Sequence, residues 1–95
     1  MSAVRLRATV LAGHKQHAVE VPFDPAVKWH IAARAIRPGR RGFAVRARVN
    51  GVAFESYVVA RARKFWLLLP PSVTRDAGIA VGDEIALALQ PESGA

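Results

Sequence analysis

Cysteine is absent from this sequence, and its absence removes several kinds of chemistry at once. A chain without cysteine has no disulfide framework, no thiolate zinc site and no cysteine nucleophile. The absence also fits the reducing environment of the cytoplasm, where structural disulfides are rare.

Long hydrophobic runs are missing as well. No stretch approaches the roughly 18 uncharged apolar residues that are needed to cross a bilayer. The apolar run after Arg5 and Arg7 covers only residues 8–12, which is too short for the core of a signal peptide. We therefore expect a cytoplasmic protein with no membrane partner.

Acidic residues are scarce: 7 Asp and Glu stand against 14 Lys and Arg, which gives a formal net charge of +7. A positive field of this kind attracts nucleic acid and anionic surfaces. The same excess also arises from an arginine-rich composition that serves solubility alone. The composition therefore leaves nucleic-acid binding open without establishing it.

The residues that are present favour one packed domain. Of the 95 residues, 52% are hydrophobic, which argues against disorder. A chain of this length is sufficient for one domain and too short for two. With no internal repeat or linker, residues 1–90 are predicted to form a single β-barrel domain and residues 91–95 a flexible tail.

Alternation of apolar and polar residues predicts several strands. The alternation covers residues 4–11, 17–21 and 43–58. Asn50-Gly51 divides the last of these stretches, and this dipeptide between two alternating runs is the strongest short-range hairpin signal. The resulting register places Arg46 opposite Glu55 as a cross-strand ion pair.

A second group of elements follows this hairpin. Residues 64–69 form an apolar strand without polar alternation, so both of its faces are predicted to be covered. Residues 71–77 are predicted to form a short helix, with Gly78 in the left-handed conformation at its end. Residues 84–89 form the last strand, whereas residues 26–36 fit either a turn or a short helix.

These elements predict a mainly β fold of about six strands with one short helix near residues 71–77. The exposed edges of a sheet pair readily with other chains, and a small barrel removes those edges. We therefore expect a small closed or nearly closed β-barrel.

The ordered set of these segments resembles a known family of domains. The segments are residues 19–25, Trp29, residues 49–54, residues 67–70 and residues 75–85. They resemble an uncharacterised bacterial family of small β-barrel domains, a domain of unknown function found alone or ahead of an OmpD-associated C-terminal domain. The resemblance covers nearly the whole chain and implies a closed barrel in a cytoplasmic bacterial protein, with no assigned activity. The chain departs from the family at residues 60–64, where a glycine-containing turn is usual.

A shorter stretch resembles a second group of proteins. Residues 69–83 are similar to part of the swapped-hairpin DNA-binding barrels of transition-state regulators and antitoxins. The shared features are a strand, a short helix that ends at a glycine, and a turn into another strand. Because a shared architecture does not transfer function, this resemblance supports nucleic-acid binding only as an alternative.

No pattern of catalytic or metal-ligating residues emerges. His14 and His17 lie three positions apart, which places them on opposite faces of a strand, and no cysteine joins them or His30 in a zinc site. Asp24 and Asp83 fit turns, and neither a glycine-rich phosphate loop nor a nucleophile motif occurs. We therefore expect no enzyme activity, no metal and no cofactor.

The large aromatic residues fit either a pocket or the core. Trp29, Tyr57 and Trp66 are candidates for lining a ligand pocket at the mouth of a barrel. In a chain this short, however, large aromatic residues more often belong to the core or to a lid. We expect Trp66 in the core and Trp29 as a partly exposed plug.

The basic residues give the sharpest candidate site. Five of them are predicted to bind nucleic acid: Arg46, Arg48, Arg61, Arg63 and Lys64. The first two share one strand face and the other three lie in a turn, an arrangement that suits contacts to a phosphate backbone. No aromatic residues alternate with them, which argues against base stacking.

These features favour a non-catalytic binding or accessory β-barrel domain of unknown ligand. The alternative is a nonspecific nucleic-acid-binding module that resembles the swapped-hairpin barrels. The candidate partners are accordingly nucleic acid, through the basic face, and another protein.

Overall fold

The computed structural model describes residues 3–13 and 16–92 of the chain. Its elements are β1 Val4–Thr9, β2 Leu11–Ala12, β3 His17–Val21, α1 Pro25–Trp29, β4 Arg34–Arg37, β5 Arg40–Val49, β6 Val52–Arg61, β7 Lys64–Leu69, α2 Pro71–Ala77 and β8 Glu84–Pro91. The fold is mainly β, which confirms the prediction from alternation. Two short strands, β2 and β4, add to the predicted elements, and α1 is the short helix that residues 26–36 allowed as one of two possibilities.

The strands form one antiparallel sheet. Its order is β1-β8-β5-β6-β7-β3-β2, and β4 pairs with β5 beside this path. The sheet curls into a half-barrel whose inner face holds the core. Because side chains alternate along a strand, every second residue of these strands points to the outer face.

A bent strand joins the two ends of the sheet. β1 pairs with β8 and β2 pairs with β3, although Val10 alone separates β1 from β2 along the chain. Val10 is fully buried; its N–H donates to Asp83 O at 2.8 Å, and its carbonyl accepts from Gly82 N–H at 2.8 Å. This bend carries the chain from one end of the half-barrel to the other.

The β5–β6 hairpin has the predicted register. Arg46 pairs with Glu55, and Arg46 Nε lies 3.4 Å from Glu55 Oε2. Asn50 and Gly51 have φ angles of 50° and 78°, as a two-residue type I′ turn requires. Asn50 Nδ2 also donates to Ala77 O at 2.9 Å, so the turn docks against the end of α2.

Helix α2 ends as the sequence predicts. Gly78 has a φ of 67°, and Ile79 N–H donates to Thr74 O at 2.9 Å. Ile79 is buried in the same cluster as Val73, so the helix end also covers the core.

Residues 26–36 contain most of the helix α1 and the first part of β4. Asp24 begins the helix, because its Oδ1 accepts a hydrogen bond from Ala26 N–H at 2.9 Å. Trp29 is only 4% exposed and packs edge-to-face against Phe23, with ring centroids 5.1 Å apart. The expectation of a partly exposed plug at Trp29 is therefore wrong, because α1 carries the indole into the core.

The end of the chain continues the sheet beyond the predicted last strand. Pro91 pairs with Val45, and Glu92 N–H donates to Ala44 O at 3.1 Å. The first two residues of the expected tail thus lie beside β5. Residues 93–95 of that tail, and the candidate ligand His14, lie outside the described residues.

Candidate functional site

A pocket of about 370 Å³ lies on the outer face of the sheet, opposite the core. This volume falls near the lower end of the roughly 300–1,000 Å³ that small-molecule sites occupy. The apolar side chains that matter most for its shape are Ala18, Ile36, Val59, Trp66 and Leu68. We refer to it as the outer-face pocket.

Residues from three neighbouring strands form the floor of the outer-face pocket. Val59 on β6 pairs with Trp66 on β7, and Ala18 on β3 pairs with Leu68 on β7. Val59 is 5% exposed and Ala18 is 7% exposed, although both point away from the core. Polar residues usually occupy such outward positions in an antiparallel sheet, so this apolar floor is a distinct feature of the molecule.

Trp66 belongs to this floor and not to the core, so the expectation of a core Trp66 is wrong. Its neighbours Phe65 and Leu67 point inward, and alternation along β7 therefore directs the indole outward. The indole is half-buried, and its Nε1 donates to Arg61 O at 3.2 Å. This hydrogen bond holds the ring across the floor and ties it to the end of β6.

One wall of the outer-face pocket depends on close packing over Gly42. A Cβ atom at position 42 would lie 2.7 Å from Ile36 Cδ1 and 3.2 Å from Val59 Cγ1. The absence of a side chain at Gly42 thus lets Ile36, on β4, fold over the outer face of β5 and reach Val59.

Two arginines supply the charge of the outer-face pocket. Arg40 lies three residues before Phe43, and Arg61 lies three residues after Val58, the partner of Phe43 across the β5–β6 pair. Extending this register by three residues places Arg40 opposite Arg61, and both residues line the pocket. Within residues 3–13 and 16–92, no carboxylate comes within 4.0 Å of either guanidinium.

Two of the five basic residues predicted to bind nucleic acid are engaged in ion pairs. Arg46 lies 3.4 Å from Glu55, and Lys64 Nζ lies 3.5 Å from Glu20 Oε1. These pairs are exposed and contribute at most about 1 kcal/mol each to stability, but they reduce the positive field that the two residues present.

The other three predicted residues do not converge on one place. Arg48 pairs with Ala53, which precedes Arg61 by eight residues on β6. At roughly 3.3 Å per residue, this separates Arg48 from Arg61 by about 26 Å. Arg63 lies in the turn after β6 with a φ of 64°, beside Ala62 with a φ of 53°. The structure thus divides the predicted basic residues between the two ends of β6.

Metal-ligating groups do not come together in the part of the chain that the structure describes. There, no group of three or more His, Asp or Glu residues is placed to hold a metal ion. No polar or charged side chain of the same residues is buried. No helix among them is long and apolar enough to cross a membrane.

One comparison with known proteins decides the family. The model of the domain of unknown function DUF1905 matches residues 7–89. The chain belongs to the DUF1905 family. Its membership confirms the resemblance to an uncharacterised domain family, and the matched range contains the whole lining of the outer-face pocket. Among curated proteins, none shows significant similarity to this sequence.

One sequence signal points to the pocket of the DUF1905 domain. The run of apolar residues over 64–69 predicts a strand that is covered on both faces. In the DUF1905 domain the core covers Leu67 and Leu69, whereas Trp66 and Leu68 on the opposite face line the pocket. Of the five predicted basic residues, Arg61 lines this pocket.

Proposed function

We propose that this DUF1905 domain is a non-catalytic binding domain that takes a small, mostly apolar molecule in its outer-face pocket. The observation that carries the proposal is the location of the apolar floor. Ala18 and Val59 are almost fully buried on the face of the sheet that the core does not use. The floor is therefore additional to the packing that folds the domain.

The energetics of the floor favour occupation by an apolar group. Covering apolar surface contributes about 25 cal/mol per Å², and the partly exposed side chains of Trp66 and Leu68 offer such surface. Their outer edges have protein on one side and solvent on the other, so they gain contacts when a ligand covers them. A volume of about 370 Å³ limits the ligand to a small molecule.

Trp66 reports on this pocket directly. The chain has 2 tryptophans, and Trp29 lies in the core, so the variant Trp29→Phe leaves Trp66 as the single tryptophan. Titration with octanol, a neutral apolar probe, is expected to move the emission of Trp66 to shorter wavelengths as water leaves the floor. The unsubstituted chain is expected to saturate at the same octanol concentration with a smaller shift, because the shielded Trp29 adds emission that does not change.

Two alanine positions on the outer face give a matched test. Ala18→Phe fills the pocket and is expected to abolish the octanol shift, whereas Ala86→Phe adds the same ring at an exposed outer position of β8 and is expected to preserve it. Leu68→Gln provides a second way to disrupt the floor if Ala18→Phe does not fold. A non-saturable response, or equal shifts in blocked and control variants, overturns the proposal.

A second candidate function, nonspecific nucleic-acid binding, is supported by a different surface. Arg5 and Arg48 point outward on either side of Ala88, which pairs with both of them. Their Cα atoms are roughly 10 Å apart, two strand spacings, and neither side chain has a carboxylate within 4.0 Å in the described residues. Two free guanidinium groups on one face suit contacts to phosphates.

Salt dependence tests this second candidate. Two phosphate contacts predict that a fourfold increase in salt weakens binding to labelled duplex DNA by about tenfold, from a slope near −0.9 per phosphate. The variant with Arg5→Gln and Arg48→Gln is expected to lose this dependence. Absence of binding at low salt would contradict nonspecific nucleic-acid binding. Binding that changes neither with salt nor in the double variant would contradict it as well.

We also propose, on the family resemblance alone, that the protein works in the cytoplasm of a bacterium. The same resemblance suggests that the domain acts by itself or as an accessory to an OmpD-associated domain. Cell fractionation with an antibody to the chain tests the location, and recovery in the membrane or secreted fraction contradicts it.

A further inference from the structure

We infer that the ligand of the outer-face pocket is an amphiphile with an oxyanionic head. Its apolar tail lies on the floor, and its carboxylate or phosphate group lies between Arg40 and Arg61. The inference rests on the proposed binding function and adds the chemical class of the ligand to it.

The backbone directs both arginines toward the same space. Arg40 lies two residues before Gly42, and Arg61 lies two residues after Val59. Residues two apart on a strand share a face, and positions 42 and 59 both face outward, where their side-chain positions meet. The two guanidinium groups therefore line one end of the pocket, next to an otherwise apolar floor.

No carboxylate of residues 3–13 and 16–92 pairs with the charge at this end. Two other outward arginines have acidic neighbours, since Arg7 lies 3.1 Å from Glu84 and Arg46 lies 3.4 Å from Glu55. Arg5 and Arg48 share with the pocket arginines the lack of a carboxylate within 4.0 Å in the described residues. The described lining of the pocket contains no acidic residue. Two neighbouring guanidinium groups repel each other, and an anion between them removes that repulsion and binds both.

The head group and the tail are recognised by different parts of one continuous surface. A guanidinium group binds a carboxylate or a phosphate through two parallel hydrogen bonds, so both heads share the chemistry that this end recognises. The indole of Trp66 donates its N–H to Arg61 O, which leaves the ring face available to an apolar tail beside the arginine. The pocket therefore matches an anionic head followed directly by an apolar chain.

Three probes that share the same octyl tail separate the contribution of the head group to the affinity from that of the tail. Octanol is titrated below its solubility limit, and octanoate and octyl phosphate below their micelle concentrations, with the emission of Trp66 as the signal. At least one anionic probe is expected to bind about tenfold tighter than octanol, because charge-assisted hydrogen bonds are stronger than neutral ones. The ranking of octanoate against octyl phosphate then identifies the preferred head.

Substitution of the two arginines tests their role. The double variant Arg40→Gln and Arg61→Gln is expected to lower the affinity for the anionic probe to that for octanol, while octanol binding changes by less than about twofold. Arg75→Gln is the matched control, because it removes one exposed charge from helix α2 and lies outside the described lining of the pocket. This control is expected to bind all three probes as the parent does.

The outcomes distinguish this inference from the proposed function. Equal affinities for octanol and both anions, or an anion preference that survives the double variant, overturn the inference and leave the apolar site in place. Failure of all three probes to bind the parent chain overturns the proposed function itself. Octanol binding and an unchanged Tm show that the double variant is folded.

Discussion

Strands β3, β6 and β7 carry apolar side chains on both faces of the sheet. The inner face packs in the core, whereas the outer face lines a pocket that is open to solvent. On the inner face, Val58 and Leu67 have no solvent exposure. On the outer face, Val59 is 5% exposed, whereas Trp66 and Leu68 are half-buried along an open pocket. The same strands thus contribute to a sealed core and to an accessible apolar site.

This difference separates the residues that fold the domain from those that are available for binding. Inner side chains are surrounded by protein, so removing one leaves a cavity. Outer side chains have solvent on one side, so they contribute less to folding and can still gain from an apolar ligand. The same substitution is therefore expected to lower the free energy of unfolding more on the inner face than on the outer face.

Leu67→Ala is expected to have the largest effect on stability. Leu67 is fully buried, and Val19 and Val58 are its partners on the two neighbouring strands. Loss of its side chain is expected to lower the free energy of unfolding by about 2–5 kcal/mol, as measured by chemical denaturation. A loss below about 1 kcal/mol would contradict the assignment of the inner face as the core.

Gly42→Ala is expected to have the next largest effect, because it inserts a methyl group on the outer face between β5 and the side chain of Ile36. The added Cβ lies 3.1 Å from Val58 O, a backbone atom, and 2.7 Å from Ile36 Cδ1. Overpacking of this kind is expected to lower the free energy of unfolding by about 1–3 kcal/mol. It is also expected to displace Ile36 and weaken octanol binding. Unchanged stability and binding would mean that β4 does not pack on β5 in solution as described.

Leu68→Ala makes the matched change on the outer face, one position from Leu67. Because Leu68 is half-buried, the expected loss of stability is about 1 kcal/mol or less. The affinity for octanol, read from the emission of Trp66, is expected to fall severalfold. If this variant lost as much stability as Leu67→Ala and kept its octanol affinity, the distinction between the faces would fail.

The smallest expected effect, of opposite sign, comes from the turn at the end of the pocket. Ala62 and Arg63 have φ angles of 53° and 64°, which are unfavourable for residues with a Cβ. Rebuilding the turn with Ala62→Asn and Arg63→Gly is expected to stabilise the domain by about 0.5–1 kcal/mol. Octanol binding is expected to stay the same, because neither face changes. A lower Tm for the rebuilt turn would contradict the conclusion that the positive φ angles of Ala62 and Arg63 strain it.

Local features of the fold are predictable from the sequence because they depend on neighbouring residues. The Asn50-Gly51 turn specifies its own geometry, and the alternation on either side sets the pairing of Arg46 with Glu55. Gly78 is predictable as a helix end for the same reason.

The outer-face pocket was not predictable in this way, because it combines residues that lie far apart in the chain. Ala18 meets Leu68 only through the β3–β7 pairing, which no local pattern specifies. The same pairing places Glu20 beside Lys64, so clustering along the sequence overstates the free basic surface. Trp66 is a different case, because residues 64–69 carry no polar alternation and hydrophobicity alone misplaces its indole in the core. The inward positions of Phe65 and Leu67 in the fold are what direct it outward.

The central claim is that the outer-face pocket takes the ligand. Amide-proton NMR spectra recorded during a titration with octanoate test this claim most directly, because each residue reports separately. We expect shifts that saturate together at the indole N–H of Trp66 and the amides of Ala18 and Leu68, with the amide of Arg48 unaffected. Shifts that centre on Arg48, or saturating shifts confined to the core, would contradict it.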